Sequence, residues 1–193
     1  MTQTGSATQD VQPGRVAFQG APGAFSHEAC VALRPWDIAV PFATFAEALD
    51  SLRSGDCDTA LIPVENSTIG AVEPAATLVA QSGFTVLADV WRPIRHALMA
   101  PLGARLSDIR SVESHPIALD QCRSNLGGLG VEIIVAFDTA GAARDVAEAG
   151  DLTRAALAPM AAAEVYGLEI LRNDLQDSAD NRTRFVLLGA SGA

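Results

Sequence analysis

Residues 44–64, TFAEALDSLRSGDCDTALIPV, carry a complete structural unit in one line of sequence. Thr44 and Glu47 stand at capping-box spacing, where each side chain accepts from the other's backbone amide at a helix start. Phe45, Ala48, Leu49 and Leu52 recur at three- to four-residue intervals, one face of a helix, and Gly55 supplies the left-handed stop. Residues 59–64 then have the length and apolar density of a buried strand. A capped helix that ends on glycine and feeds a buried strand is the repeating unit of an α/β fold.

The same grammar extends along the chain. A helix over 72–82 stops at Gly83 ahead of TVLADVW, and another from Pro116 to near Gly127 precedes VEIIVAF. Asp138 or Thr139 caps a helix that ends at Gly150 before RAALA, and a helix over 159–166 stops at Gly167 before LEIL. The expected class is therefore α/β with mainly parallel strands. Ligands of open α/β sheets bind beyond the carboxyl ends of the strands, so the turns into helices matter most. Four are unusually polar or glycine-rich: QGAPGAFSHE (19–28), PVENSTIG (63–70), ESHPIALDQC (113–122) and FDTAGAA (137–143).

Composition narrows the chemistry. With 193 residues, 49% of them apolar, the chain can fill one domain or two small lobes. A net charge of −10 argues against nucleic acid and anionic membranes as partners. No apolar run approaches the roughly 20 residues of a membrane span, and residues 1–14 read as a disordered leader rather than a signal peptide. Cys30, Cys57 and Cys122 are odd in number and far apart, which suits a reduced cytoplasm without structural disulfides. All 13 basic residues are arginine. Schiff-base, pyridoxal phosphate and phosphate-loop lysines are thereby excluded, and an anionic ligand would rest on arginine and backbone amides.

Each turn admits a bland reading and a functional one. Gly20, Pro22, Gly23 and Ser26 form either a tight strand-to-helix turn or a helix start whose free amides face an anion. Asn66 and Ser67 suit a capped turn, yet Glu65, Asn66, Ser67 and Thr68 place four consecutive polar side chains at one strand end. Glu65 there needs a partner, either an arginine or a ligand hydroxyl. Ser114 is placed to cap the helix that Pro116 opens, and His115 and Gln121 share a cleft edge only if that helix points its first turns there. His115 and Cys122 lie about two turns apart, against a cysteine nucleophile. His27, Glu28, Cys30 and His96 lack metal-ligand spacing, so no metal is expected. In the closing run NRTRFVLLG (181–189), Thr183, Phe185 and Leu187 share one face of a strand, and Arg184, Val186 and Leu188 the other.

Together these motifs resemble the catalytic domain of the prephenate dehydratase family. The resemblance runs over 16–189 through GAPGAFS, VENSTIG, SHPIALDQC, DTAGAA, AALAPMAAAEVYGLEIL, NDLQD and NRTRF. It implies a two-lobed, periplasmic-binding-protein-like (type II) α/β fold with the active site in the cleft, lobe one being 15–93 plus 174–193 and lobe two 94–173. The activity implied is cofactor-free: prephenate loses its ring hydroxyl and carbon dioxide to give phenylpyruvate on the route to phenylalanine, with arogenate as an alternative substrate. A cytoplasmic homodimer is implied as well. Carried over residue by residue, Thr183 would donate to the departing hydroxyl and Arg184 would hold a carboxylate, with Glu65 and Asn66 completing the catalytic set. Ser67, Ser114, His115, Gln121, Thr139, Ala140, Asn173, Phe185 and Ala21 would contact substrate. Asp138 departs from the small hydroxyl residue usual before Thr-Ala, and Pro159 from a common serine. Eight residues follow Phe185, so no ACT regulatory domain, and no feedback inhibition through one, is expected. Two other readings stay open: a related prephenate decarboxylase that keeps the ring hydroxyl, against which the intact Thr-Arg-Phe counts, and, from the two-lobed fold, a binding protein for a small dicarboxylate.

Overall fold

The computed structural model describes residues 12–190; most of the expected leader lies outside the described residues. The unit that opens the sequence reading forms in full. Thr44 Oγ1 accepts from the Glu47 amide at 3.1 Å, Glu47 Oε2 accepts from the Thr44 amide at 2.9 Å, and Gly55 ends the helix at φ 81°.

The first lobe contains β1 (Arg15–Gln19), α1 (Phe25–Leu33), β2 (Ile38–Phe42), α2 (Phe45–Ser54), β3 (Thr59–Asn66), β4 (Gly70–Ala71), α3 (Ala75–Ser82) and β5 (Thr85–Pro93), joined by the final strand β11 (Arg182–Gly189). The second holds β6 (Ala97–Pro101), β7 (Ser111–Ser114), α4 (Pro116–Gln121), α5 (Arg123–Gly127), β8 (Glu132–Val135), α6 (Thr139–Ala149), β9 (Arg154–Ala158), α7 (Met160–Tyr166) and β10 (Leu168–Arg172). Strand order is β2-β1-β3-β11-β5 in the first sheet, with β4 on β3, and β10-β6-β9-β7-β8 in the second. Only β2-β1-β3 and β9-β7-β8 run parallel; β11, β6 and β10 pair antiparallel, so the sheets are mixed rather than mainly parallel.

Each sheet is packed on both faces. Along β11, Phe185 and Leu187 join Phe18 and Leu61 beneath α1, and Val186 and Leu188 join Leu49 and Ile62 beneath α2, the alternation a strand demands. Two segments cross between the lobes, and they bond to each other. The Ile94 amide donates to Asn181 O at 2.8 Å, and the Leu175 amide to His96 O at 2.9 Å.

Several expectations shift. The helix expected over 116–127 breaks at Cys122 into α4 and α5, and α3 begins at Ala75 behind Pro74. Ser114 does not cap α4; it ends β7, and the cap is His115, whose Nδ1 accepts from the Ile117 amide at 3.2 Å. Strands β2 and β6 escape the periodicity reading for different reasons: β2 is a half-exposed edge strand interrupted by Pro41, and β6 is a short apolar run without β-branched residues.

Candidate active site

Between the lobes lies a cavity of about 250 Å³. The first lobe lines it with the α1 start (Phe25, Ser26), the β3 end (Pro63, Asn66) and β11 (Thr183, Phe185); the second contributes His115, Gln121, Asp138 and Thr139. Ile94 and His96 line it from the crossing.

A bulge makes this convergence work. Thr183 pairs with Asn66 and Arg184 with Glu65, but Phe185 pairs with Pro63, which leaves Val64 as the extra residue on β3. Without it, Asn66 and Pro63 would fall on opposite faces; with it, both face the cleft beside Thr183 and Phe185.

The Asn66 amide is oriented by its neighbours. Its Oδ1 accepts from the backbone amides of Thr68 at 2.9 Å and Ile69 at 3.2 Å, so Nδ2 must donate, and it does so to Thr183 Oγ1 and Asn181 Oδ1, both at 2.9 Å. Thr183 Oγ1 therefore accepts within the protein, and its own proton finds no acceptor among the described residues.

His96 Nε2 lies 3.1 Å from Gln121 Oε1, and its ring meets Phe25 edge-on at 5.2 Å. Because a carboxamide oxygen can only accept, Nε2 carries the hydrogen, and buried Nδ1 is left without a partner. Burial holds His96 below the ordinary imidazole range, opposed by the Gln121 hydrogen bond. It is a neutral polar wall at physiological pH. At the α6 start, Asp138 Oδ1 accepts from the Gly141 amide at 2.6 Å and caps the helix.

The lobes also touch beside the cavity. Glu28 Oε1 accepts from the Ala161 amide at 3.1 Å, and Tyr166 Oη donates to Pro22 O at 2.8 Å. Burial pushes Glu28 up, against the Ala161 amide and nearby Arg92.

Of the residues carried over from the family resemblance, the cleft gathers Asn66, Thr183, Phe185, His115, Gln121 and Thr139, and Gly20, Ser26, His96 and Asp138 from the sequence reading line it too. The other carried-over residues do not line this cavity. Arg184 takes the opposite face of β11, where it grips Asp89 through Nε at 2.8 Å and Nη2 at 2.5 Å and reaches Glu65 through Nη1 at 3.4 Å. It holds Asp89 below the usual carboxylate range. Strand alternation is the cause: a β11 that turns Thr183 inward turns Arg184, and Glu65 opposite it, outward. Ser67 staples the turn to the return crossing, donating to Asp180 O and accepting from the Arg182 amide, both at 2.9 Å. Ser114 is wholly buried and donates to Leu157 O at 2.6 Å. Ala140 packs in the second-lobe interior, Asn173 is exposed after β10, and Ala21 sits in the turn before α1, its carbonyl bonded to the Ala24 amide.

Ser26 lines the cavity as its glycine turn allowed, whereas His96, weighed only as a metal ligand, and Asn181 were given no part in the site by motif reading. Asn181 stands in the quoted run NRTRF, but only pairing with Asn66 reveals its part, and buried His96 meets Phe25 of the first lobe and Gln121 of the second. The thiols of Cys30 and Cys122 are both pushed up to about 12, chiefly by burial, which removes a thiolate nucleophile.

The prephenate dehydratase family model matches residues 16–193. The chain is 38% identical over 172 residues to a bifunctional N-acyl-homoserine lactone acylase/prephenate dehydratase of Komagataeibacter europaeus, covering 89% of this chain and 61% of that protein. It is 38% identical over 174 residues to arogenate dehydratase/prephenate dehydratase 1 of Arabidopsis thaliana, covering 90% and 44% respectively. The chain thus spans only part of the length of these relatives. Among solved structures, a prephenate dehydratase from Arthrobacter aurescens in complex with L-Phe is 30% identical, with a TM-score of 0.84 over 93% of this chain and 61% of that one. The mixed α/β fold of two sheets is therefore the fold of a solved prephenate dehydratase, and the match covers 93% of this chain. This chain belongs to the prephenate dehydratase family.

Proposed function

We propose that the cleft catalyses the decarboxylating dehydration of prephenate, or of its amino counterpart arogenate, to phenylpyruvate or phenylalanine. The bond from ring carbon to hydroxyl breaks as the ring carboxylate leaves as carbon dioxide, and the electron pair of the lost carbon–carbon bond completes the aromatic ring. One proton is consumed in turning the departing hydroxide into water. Aromatisation drives the reaction, so the protein need only orient the substrate and stabilise the leaving oxygen.

The observation that carries this reading is the polarity of the Asn66–Thr183 hydrogen bond. By making the threonine oxygen an acceptor, Asn66 leaves the hydroxyl hydrogen free for the substrate's departing oxygen. An alcohol is a weak acid, so Thr183 acts as an oriented donor and water supplies the net proton. Phe185 and Phe25 offer apolar surface to the ring, and the uncapped first turn of α1 offers amides to a carboxylate. The same reading makes the protein a cytoplasmic homodimer; light scattering on the purified chain would test the dimer, and cell fractionation the location.

The direct assay incubates the protein with prephenate and, separately, arogenate, and follows phenylpyruvate and phenylalanine against enzyme-free controls. Prompt aromatic product supports the reading. Carbon dioxide release with a non-aromatic product, or no consumption of either acid, would overturn it.

A further inference from the structure

Asp138 is the one carboxylate that lines the cleft, and no arginine lines it among the described residues. Its side chain bonds the Gly141 amide, so a full negative charge already sits on the positive end of the α6 dipole. A substrate carboxylate at that end would meet repulsion. Across the cleft α1 begins without a side-chain cap, its Phe25 and Ser26 line the cavity, and the acid of its first turn, Glu28, does not line it and accepts from the Ala161 amide instead. Arg92 faces Thr183 across the β5–β11 pair, but it does not line the cavity and its charge is felt by Glu28.

We propose that Asp138 is a specificity-determining residue that favours arogenate over prephenate. The two acids differ at one carbon of the side chain, where arogenate bears an ammonium and prephenate a ketone. Arogenate therefore carries one net negative charge and prephenate two. With a carboxylate at the α6 end of the cavity, the ammonium gains an ion pair there, whereas the ketone gains nothing and brings the larger negative charge. The inference rests on the dehydratase reading for its pair of substrates.

Asp138→Asn isolates the charge, because asparagine caps a helix as well as aspartate and α6 should remain intact; Asp138→Ser is the second variant should the first fold poorly. The wild type should show kcat/KM for arogenate at least about tenfold above that for prephenate, and Asp138→Asn should shrink that ratio about tenfold or more, mainly through KM. A merely structural role would lower both activities together and leave the ratio unchanged, which overturns the inference while the dehydratase reading stands. Binding of the stable products, L-phenylalanine and phenylpyruvate, repeats the ammonium-against-ketone comparison without turnover. If neither substrate reacts but Asp138→Asn still shifts the product preference from the amine towards the ketone, the activity fails and Asp138 as selector stands. Absence of both turnover and any product preference sinks both.

Discussion

At the scale of single residues the reading turns on two neighbours in β11 that face opposite ways. Thr183→Ala removes the hydroxyl but leaves Asn66 Nδ2 bonded to Asn181, so the variant should fold. Its kcat should fall about 10²-fold or more, and Thr183→Ser, which restores the donor, should recover most of that loss. Equal turnover in the alanine variant would remove Thr183 from the chemistry. Arg184 leads to the opposite expectation. Its guanidinium is engaged by Asp89 and Glu65 on the far face, so Arg184→Met should lower the melting temperature by a few degrees and leave KM within about twofold. A KM rise above tenfold at unchanged melting temperature would return Arg184 to the substrate. Strand alternation already separates the two side chains in the sequence, whereas the motif resemblance would place both on the substrate. His96 left no comparable trace, because one histidine directly after Arg95 and before the apolar run ALMA looks the same whether buried or solvated.

Elements governed by local chemistry were legible, and those governed by distant pairing were not. Thr44, Glu47 and Gly55 announce both ends of α2 within twelve consecutive residues, and each end forms as read. Thr44→Ala should therefore destabilise the protein by about 1 kcal/mol in denaturant unfolding without changing activity, since α2 does not line the cleft. A loss below a few tenths would mean that the exposed cap is replaced by water. The bulge at Val64 is a different case. It exists because β11, about 120 residues downstream, pairs with β3 in a register that skips one position, and nothing within PVENSTIG encodes that slip. Without the bulge, Pro63 and Asn66 could not share the cleft, so the element that builds the site was the one local patterns could not supply. The break at Cys122 is similar in kind: the Asp177 carboxylate accepts the Ser124 amide at 3.0 Å and the Asn125 amide at 3.2 Å, starting a new helix from the return crossing.

For the whole molecule, function depends on how far apart the lobes stand, and Gly23 sets part of that distance. It sits at φ 86° in the turn before α1, and a Cβ there would lie 2.8 Å from the Cα of Ala162 in α7 of the other lobe. Backbone cannot swing aside as a side-chain tip can, so Gly23→Ala must move α7 or the turn, straining the Glu28–Ala161 and Tyr166–Pro22 bonds that flank the contact. The four apolar clusters do not include Gly23, so each lobe keeps its core. What changes is the span from Thr183 to the rim formed by His115, Asp138 and Thr139. Since misplacement by about an ångström can cost 10²-fold in rate, kcat/KM should fall at least tenfold in Gly23→Ala. Gly55→Ala is the matched control, for it carries the same left-handed backbone at φ 81° with open space around its Cβ position. Both variants pay roughly 1 kcal/mol or more for a positive φ, but only Gly23→Ala meets the other lobe. Equal activity in the two at matched stability would show that this contact does not set the cleft, whereas a loss confined to Gly23→Ala places control of the site in the packing of α7 against the first lobe.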